Sequence, residues 1–398
     1  MNDSLHAPLL PGRSPATHRA VTLGVLGGGQ LGRMFVHAAQ TLGYRTAVLD
    51  PDPNSPAGLV SHLHLKADYL DATALGRMIE ECSAITTEFE NVPALALATL
   101  AMHRPVAPGA HAVSICQDRA KEKALFTQAG VGCAPHAVID SAETLRAADP
   151  ALLPGILKTA QMGYDGKGQV RVSTTQELAA AWDALKCVPC VLEKMLDIDV
   201  EISVIVARSH LGESVHFPVR QNLHRHGILA VSLSPAPRVD TSLAERAKTA
   251  AAALAQALGY VGVLCVEFFV LKDGRLVANE MAPRPHNSGH DTIDACDLSQ
   301  FDLQVRAMAG LPLVAPRQHS PSVLINLLGD MMFDHAGTPL TPAWDQVLAL
   351  PGAHLHLYGK AEARPGRKMG HLTFTAPSAE QAQEQARKAC AVLGLETF

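Results

Sequence analysis

The chain has 398 residues, of which 47% are hydrophobic and 18% charged, a balance that excludes a disordered or fibrous protein. At about 100–200 residues per domain, this length predicts two to four domains. Lysines and arginines number 33 against 38 aspartates and glutamates, so there is no overall basic field and we expect no nucleic-acid partner. The eight cysteines are irregularly spaced, which argues against a disulfide framework and favours a reducing, cytoplasmic location.

Two segments bear on targeting. Residues 1–20 contain three prolines, one glycine and an aspartate but no long apolar run, so we expect a flexible tail rather than a secretory signal. The longest uncharged stretch, 249–266, has the length at which a membrane span must be considered. Gln256 lies within it, and Gly259 and Gly262 interrupt it. We therefore expect no membrane segment.

The first predicted domain is α/β. An apolar run at 21–26 is followed by a glycine cluster, an amphipathic stretch over 30–42, and a second apolar run that ends at Asp50. This order predicts a strand, a turn, a helix and a second strand. A further strand is expected at 85–87 and a helix over 92–102. Residues 21–118 are thus predicted to form a Rossmann-like domain with a parallel sheet.

The remaining chain has a different texture. A charged helix is expected over 118–130, and short β-rich runs follow at 155–159, 169–173, 188–193, 200–207 and 261–279. They predict a mixed α+β domain of two lobes over 119–315. Prolines near 316 indicate a linker, after which 316–398 are predicted to form a small β-rich C-terminal domain.

Residues 27–32, GGGQLG, match the G-x-G-x-x-G pattern between the first predicted strand and helix. Such glycines let backbone N–H groups approach a phosphate at the positive end of a helix. Asp50 at the end of the next strand suits a dinucleotide site, whereas Arg33 suits a terminal phosphate monoester. A dinucleotide site, another phosphate site and a merely tight turn all stay open on this motif.

A second glycine-rich segment, GYDGKGQ at 163–169, lies between two β-like runs. Neither a Ser or Thr nor a helix follows Lys167, so the segment is not a Walker A phosphate loop. It fits a flexible flap that closes over phosphates, with Lys167 or the strand residue Lys158 supplying positive charge. A plain tight hairpin is the alternative.

Two carboxylates, Glu267 and Glu280, lie on β-runs that flank the sequence KDGR at 272–275. Asp-Gly is favoured at the centre of a two-residue hairpin turn, which would pair Lys272 with Arg275. Counting outward places Glu267 opposite Glu280, with their Cβ atoms about 5 Å apart. Their repulsion, on the order of 3 kcal/mol at a dielectric near 20, is removed by a cation between them. Oxygen ligands of this kind suit Mg²⁺ that also holds phosphates, although a nearby Arg284 or an exposed strand face could relieve the repulsion instead.

The segment MAPRPHNSGH at 281–290 directly follows Glu280. Two prolines bracket Arg284 and restrict its backbone. An arginine held beside a metal-bound phosphate could stabilise the charge that develops on a transferred phosphoryl group. A purely structural loop is the alternative.

A basic segment lies near the C-terminus. Five side chains crowd around a Pro-Gly turn: Lys360, Arg364, Arg367, Lys368 and His371. In an acidic protein this concentration indicates a bound anion, with a solvated surface charge run as the alternative.

Taken together, the motifs GGGQLGR at 27–33, GYDGKGQ at 163–169, NEMAPRPHNSGH at 279–290 and RPGRKMGH at 364–371 resemble those of the N5-carboxyaminoimidazole ribonucleotide synthetases, the ATP-grasp carboxylases of purine biosynthesis. The resemblance runs from about residue 21 to the C-terminus. It implies a central ATP-grasp domain with a lid lobe at about 125–195. The common Glu-x-Asn metal motif of the wider superfamily reads Glu280-Met281-Ala282 here, so a second metal site is not implied.

The resemblance implies that one set of residues binds ATP. These are Arg119, Lys158, Gly163, Tyr164, Asp165, Gly166, Lys167, Gly168, Gln169, Glu193, Lys194, Met195, Leu196, Glu201, His224, Asn279 and Glu280. Glu267 and Glu280 match the family's Mg²⁺ ligands, which agrees with the hairpin count.

A second set is implied to bind the ribonucleotide substrate, so that the GGGQLGR loop belongs to a ribonucleotide site rather than a nicotinamide site. These residues are Gly29, Gln30, Leu31, Glu88, His286, Asn287, Ser288, Lys360, Arg364, Arg367 and Lys368. Glu88 and also Glu90, just past a strand end, are weaker candidates, for contacts with ribose hydroxyls. Arg284, Lys158 and Lys360 are the expected catalytic residues.

The implied reaction is ATP-dependent carboxylation of 5-aminoimidazole ribonucleotide with bicarbonate, through carboxyphosphate, by a homodimer. Another ATP-grasp ligase, such as a formate-dependent glycinamide ribonucleotide transformylase, is the nearest alternative. A nicotinamide-dependent dehydrogenase built on GGGQLGR and Asp50 leaves the other motifs unexplained. A non-catalytic small-molecule sensor is disfavoured by the two carboxylates and the flap lysine.

Overall fold

A computed structural model describes residues 7–14, 18–163, 168–334 and 336–398. Its helices are α1 (Gln30–Thr41), α2 (Ala72–Glu81), α3 (Ala94–Ala101), α4 (Ala110–Cys116), α5 (Arg119–Gln128), α6 (Ala142–Arg146), α7 (Thr175–Ala184), α8 (Thr241–Ala257), α9 (Thr292–Ala295), α10 (Gln300–Met308), α11 (Trp344–Leu348) and α12 (Ala379–Leu393). In the part of the chain that the model describes, no helix combines the length and the apolar character that a membrane crossing requires.

The strands are β1 (Thr22–Leu26), β2 (Arg45–Leu49), β3 (Leu63–Leu65), β4 (Ala84–Thr87), β5 (His136–Ile139), β6 (Gly155–Thr159), β7 (Gln169–Val172), β8 (Cys190–Lys194), β9 (Ile198–Arg208), β10 (Ser214–His216), β11 (Arg220–Arg225), β12 (Ile228–Ser234), β13 (Gly262–Leu271), β14 (Leu276–Ala282), β15 (Ser322–Leu328), β16 (Ala353–Leu357) and β17 (Lys368–Thr375). They form three sheets.

The first sheet has the order β3-β2-β1-β4, and its strands pair in parallel. β1 and β4 consist of buried residues because helices cover both faces of the sheet. Val48 packs towards α1, whereas Ala47 and Leu49 pack towards α2 and α3. The predicted parallel-sheet domain is confirmed, with α1 ending at Thr41.

Part of the segment predicted to be a flexible tail lies against the protein. Leu9 N donates a hydrogen bond to Ala309 O at 2.8 Å, and the Tyr44 hydroxyl donates to Leu9 O at 2.5 Å. The Leu9 side chain packs against the core between α1 and α10. These contacts hold Leu9 against the protein, whereas the flexibility of residues 1–20 stays a prediction.

The second sheet lies within the segment predicted to form the lid lobe. Its order is β5-β8-β6-β7, and all three strand pairs are antiparallel. β6 and β7 flank the glycine-rich segment and pair Lys158 with Gln169. The two-lobed α+β character of this region agrees with the sequence analysis.

The third and largest sheet has the order β14-β13-β9-β11-β12-β15-β17-β16, with β10 beside β9. β12 pairs antiparallel with β15, so the C-terminal strands extend the central sheet. The predicted boundary near 316 falls between α10 and β15, but the sheet runs across it. The β-rich C-terminal region is confirmed, and its strands share their hydrogen bonding with the ATP-grasp region.

Helices α5 and α8 cover one face of the central sheet. Leu125 and Phe126 of α5 pack with Leu254 of α8 against strand residues that include Val204 and Val266. This packing holds α5 close to the strands that carry the candidate metal ligands.

The loop of the β13–β14 hairpin differs from the prediction. The pairing of Lys272 with Arg275 is wrong, because Leu271 N donates to Arg275 O at 2.9 Å. Three residues thus form the loop, and the last of them, Gly274, has a φ of 81° that favours glycine.

A β-bulge corrects the register further along the hairpin. Phe268 pairs with Ala278, but the next pair is Glu267 with Glu280. Asn279 is the extra residue of the bulge, and it offsets the residue that the longer loop gained. The two glutamates consequently face each other as predicted, although the predicted turn was one residue too short.

Candidate active site

The facing carboxylates of Glu267 and Glu280 form the centre of the candidate site. Glu267 is 9% exposed. Burial, and after it the neighbouring Glu280, raise the pKa of Glu267. Partial burial opposes ionisation of Glu280 as well, but Arg119 and Lys158 outweigh it and lower the pKa of that carboxyl. The two carboxyl groups therefore have pKa values pushed apart, as expected of neighbouring acids that share one site.

These carboxylates fit a divalent cation. Within the described residues, Glu267 Oε1 is buried and accepts no hydrogen bond. A buried carboxylate oxygen without a donor is unfavourable unless a cation reaches it. Two carboxylates from adjacent strands supply the hard oxygen ligands that Mg²⁺ prefers, with room for phosphate oxygens.

A cluster of cations lies beside the carboxylates. Arg119 Nη1 is 3.0 Å from Glu280 Oε2, and Lys158 Nζ is 3.0 Å from Glu193 Oε2. Lys123, which sequence reasoning missed, lies 3.4 Å from the other Glu193 oxygen and is fully buried. Burial lowers the pKa of Lys158 despite Glu193. The structure thus brings Arg119, Lys158, Glu193 and Glu280 together, as the ATP-binding set requires.

The predicted ATP residues Glu201 and His224 meet on adjacent strands. His224 Nδ1 forms a close contact with Glu201 Oε2. Burial alone would lower the pKa of His224, but Glu201, Glu267 and Glu280 raise it. A protonated histidine would add positive charge beside the carboxylate pair.

The ends of the predicted flap are described. Thr159 N donates to Gly168 O at 2.9 Å, and Gly168 has a φ of 70°. Gly163 and Gln169 border the same segment. Tyr164, Asp165, Gly166 and Lys167 lie outside the described residues, so their role as phosphate contacts stays a prediction. Three other predicted ATP contacts follow one another at the end of β8 and in its connection to β9: Lys194, Met195 and Leu196.

The glycine loop at the start of α1 is capped by acidic side chains. Gly29 N donates to Glu88 Oε1 at 2.6 Å, and Gly32 N donates to Glu88 Oε2 at 2.8 Å. Gly28 N donates to Asp50 Oδ2 at 2.7 Å. These carboxylates accept hydrogen bonds from amides that the motif would otherwise offer to a phosphate. A carboxylate, like a phosphate, is negatively charged and is therefore stabilised at the positive end of the helix dipole.

This arrangement bears on two predictions. Asp50 also accepts from the Tyr69 hydroxyl at 2.8 Å, so its carboxylate is engaged as a structural cap rather than presented to a ribose. Glu88 is 8% exposed and bonded to backbone amides. Its predicted contact with the ribonucleotide, like those of Gly29, Gln30 and Leu31, stays a prediction.

The loop after β14 is buried and polar. Arg284 pairs closely with Glu90, which raises the pKa of the guanidinium although burial opposes this. His286 Nδ1 is 2.9 Å from Ser288 Oγ. Asn287 is 7% exposed, and neither polar atom of its side chain has a hydrogen-bond partner among the described residues. Because buried polar groups normally have a hydrogen-bond partner, this side chain is a candidate to bind a ligand.

Burial, and then Arg284 and Lys368, lower the pKa of His286 well below its ordinary value. The imidazole is therefore neutral at physiological pH. Its Nε2 lies 3.6 Å from Glu267 Oε1, which places this loop next to the carboxylate pair.

The basic segment reaches the same region through Lys368. Burial would raise the pKa of Glu90, but Arg284 and, to a smaller extent, Lys368 lower it, and Lys368 also acts to lower the pKa of Glu267. Lys360 Nζ donates to Lys368 O at 2.7 Å. By contrast, the Arg364 side chain is 69% exposed and pairs with Glu362, and Arg367 donates to Glu362 O. The segment thus has a partly buried positive charge at Lys368 and a solvent-exposed charged surface at Arg364.

Three family models match successive parts of this chain. The Ribonucleotide synthetase preATP-grasp domain matches residues 20–117, and the ATP-grasp domain matches residues 124–301. The Phosphoribosylaminoimidazole carboxylase C-terminal domain matches residues 322–385. These matches, with the two-lobed α+β architecture, define an ATP-grasp enzyme.

Similar proteins identify a family within the ATP-grasp enzymes. The chain is 46% identical over 359 residues to the N5-carboxyaminoimidazole ribonucleotide synthase of Brucella melitensis, which covers 89% of this chain and 96% of the relative. The Staphylococcus aureus N5-carboxyaminoimidazole synthetase complexed with ADP matches with a TM-score of 0.86 at 34% identity, over 98% of this chain and 99% of that one. The Aspergillus clavatus enzyme in complex with ADP and 5-aminoimidazole ribonucleotide matches with a TM-score of 0.85 at 31% identity, over 94% and 98%. The chain belongs to the N5-carboxyaminoimidazole ribonucleotide synthase family.

Proposed function

We propose that the chain uses ATP and bicarbonate to carboxylate the exocyclic amine of 5-aminoimidazole ribonucleotide, with release of ADP and phosphate. The family membership supports this ligase activity in purine biosynthesis. The observation that carries it is the facing pair Glu267 and Glu280 beside Arg119 and Lys158. This arrangement suits a nucleoside triphosphate and a divalent cation.

Glu267 and Glu280 are the proposed Mg²⁺ ligands. When bound, the ion would neutralise phosphate charge and orient the triphosphate for transfer. The unpartnered Glu267 Oε1 and the ionised Glu280 support this role. Asn279, whose side-chain Oδ1 is buried without a hydrogen-bond partner in the described structure, lies next to Glu280 and is a further contact for ATP.

The cations next to this pair hold the triphosphate. Lys158, Arg119 and the flap lysine Lys167 are proposed to bind its phosphates, with the flap closing to exclude water. Arg284 is proposed to stabilise charge that develops on the transferred phosphoryl group. Its close contact with Glu90 keeps the guanidinium oriented.

The chemistry proceeds by activation of bicarbonate, which is a poor electrophile. A bicarbonate oxygen attacks the γ-phosphorus of ATP and the bond to ADP breaks, which gives carboxyphosphate. Cleavage of its C–O bond to phosphate releases CO₂, the ribonucleotide amine attacks that carbon, and the amine loses a proton. Exclusion of water protects carboxyphosphate from hydrolysis.

The ribonucleotide is proposed to lie between the glycine loop and the C-terminal basic segment. A Cβ built on Gly359 would lie 3.3 Å from Arg33 Nη1, so the two segments approach each other closely. The His286–Ser288 loop, Lys360 and Lys368 would contact this substrate. A homodimer is also proposed, on the family resemblance. A cytoplasmic location is proposed because all eight cysteines are free.

The decisive assay measures ADP release by the purified chain with Mg-ATP. Release is expected only when both bicarbonate and 5-aminoimidazole ribonucleotide are present. ADP release that does not depend on the ribonucleotide, or that formate supports in place of bicarbonate, would contradict the proposal. Glu280→Gln should abolish turnover, while the matched exposed variant Glu81→Gln in α2 should not.

A further inference from the structure

Two consecutive residues of α5 hold the backbone on both sides of Glu280. Lys123 Nζ donates to Asn279 O at 2.8 Å, and Met281 N donates to Glu122 Oε1 at 2.5 Å. The side chains of Lys123 and Glu122 are 0% and 2% exposed. Two buried polar side chains of the helix are therefore directed at the two peptide groups that flank one strand residue.

These contacts lie at the bulge that sets the direction of Glu280. Successive side chains of a strand point to opposite faces, so a register shifted by one residue would place Asn279 opposite Glu267. The extra residue of a bulge leaves peptide groups without partners in the strand ladder. α5 supplies those partners, because one of its side chains donates to the bulged carbonyl and the other accepts from the amide that follows.

We propose that Glu122 and Lys123 are positioning residues that fix the bulge and thereby aim the Glu280 carboxylate at the bound metal. The inference rests on the proposed function, in which Glu280 is a metal ligand. Neither residue needs to touch ATP or the ion for this role. Outer residues that orient a metal ligand commonly contribute about 10–100-fold to metal affinity.

The hydrogen bonds can be separated from the charges. Gln at position 122 keeps a carbonyl oxygen that can accept from Met281 N, whereas Met at 122 has a similar length without an acceptor. Lys123→Met removes the donor to Asn279 O. Glu193, the other partner of Lys123, also pairs with Lys158 at 3.0 Å, so we expect it to retain a cationic partner after that change.

The test measures binding of Mn²⁺ to the full chain in the presence of ADP, by electron paramagnetic resonance of the free ion. Glu122→Met and Lys123→Met should each weaken Mn²⁺ binding about tenfold. Glu122→Gln should stay within about twofold of the wild type. ADP affinity measured calorimetrically in EDTA should change less than about twofold in all variants, because the nucleotide contacts remain.

Matched controls separate the possible failures. Thr127→Val removes a hydroxyl of α5 that donates to Lys123 O in its own helix at 3.1 Å, and it should leave Mn²⁺ binding unchanged. If Glu280→Gln binds Mn²⁺ as the wild type does, Glu280 is not a ligand and both the proposed metal role and this inference are overturned. If Glu280→Gln weakens binding but Glu122→Met and Lys123→Met do not, only the inference fails.

Two further results would also overturn the inference. Equal losses in Glu122→Gln and Glu122→Met would show that the effect does not come from the hydrogen bond to Met281 N. A parallel loss of ADP affinity in EDTA would indicate general disruption of the site. Should Lys123→Met not fold, the two Glu122 variants still decide the question.

Discussion

Arg119 and Glu280 join the first residue of α5 to β14 through an ion pair with 3.0 Å between Nη1 and Oε2. The arginine side chain is only 11% exposed. The pair keeps Glu280 ionised, whereas Glu267 opposite retains a proton more readily because burial and Glu280 raise its pKa. An incoming cation would thus meet one charged carboxylate and displace a proton from its neighbour.

Replacement of Arg119 should weaken ATP binding. A hydrogen bond to a charged group is worth about 1.5–3 kcal/mol, so Arg119→Leu is expected to raise the KM for ATP by about tenfold or more. The control is Arg77→Leu on the exposed helix α2, where Arg77 pairs with Glu81 at 2.8 Å. Steady-state kinetics with varied ATP checks this, and equal KM values for Arg119→Leu and the wild type would remove Arg119 from the ATP site.

The carboxylate pair shows how far sequence reasoning reaches. The strand pattern around Asp273 and Gly274 was sufficient to predict a hairpin that brings Glu267 to Glu280. The turn itself was predicted one residue too short, and the bulge at Asn279 made up the difference. The position of a bulge depends on tertiary contacts, which a local sequence pattern does not show. The prediction that Glu267 faces Glu280 is therefore correct, but only because the longer loop and the bulge compensate for each other.

Other site residues gave no local signal. Glu122 and Lys123 lie in a charged helix whose composition resembles a solvated surface, yet the structure buries both. The position of Glu88 after a strand end predicts a ribose contact, whereas its carboxylate accepts hydrogen bonds from Gly29 N and Gly32 N. The only clue to burial of such charges is a partner far along the chain, which periodicity does not reveal.

Glu88 should be a strong stability determinant of the N-terminal domain. Glu88→Ala removes the acceptor of two buried amides at the start of α1 and is expected to lower the free energy of unfolding by about 2–4 kcal/mol. Asp71→Ala removes an ordinary helix cap, the acceptor of Ala74 N at 2.7 Å, and should cost about 1 kcal/mol. Urea unfolding compares them, and a smaller loss for Glu88→Ala than for Asp71→Ala would contradict the capping role.

Glu122 should make stability depend on pH. Burial raises the pKa of Glu122 to about 8 although Lys123 and Arg119 oppose this, whereas an unfolded glutamate has a pKa near 4.3. Between these values the native state keeps a proton that the unfolded state releases, so stability falls as pH rises and the loss is complete above about 8.

Glu122→Gln removes this titration. The free energy of unfolding of this variant, minus that of the wild type, should therefore be higher at pH 9 than at pH 5 by at least about 1 kcal/mol. In other words, the variant should be more stable relative to the wild type at the higher pH. Chemical denaturation at both pH values measures the difference. Glu384→Gln on α12, whose carboxylate is exposed and pairs with Lys388, provides the control. A difference that does not change with pH would show that Glu122 has no raised pKa in the folded protein.

Two cations of the basic segment should differ in their effect on the ribonucleotide. Lys368 is half-buried, and its charge contributes to the lowered pKa of Glu90 and partly opposes the raised pKa of Glu267. Arg364, by contrast, is 69% exposed and paired with Glu362. Lys368→Met is expected to raise the KM for 5-aminoimidazole ribonucleotide about tenfold, the equivalent of about 1.4 kcal/mol. Arg364→Met should change it less than about threefold, because an exposed pair contributes about 0–1 kcal/mol. Kinetics with varied ribonucleotide decide this, and the reverse order would place the substrate phosphate at the exposed end of the segment.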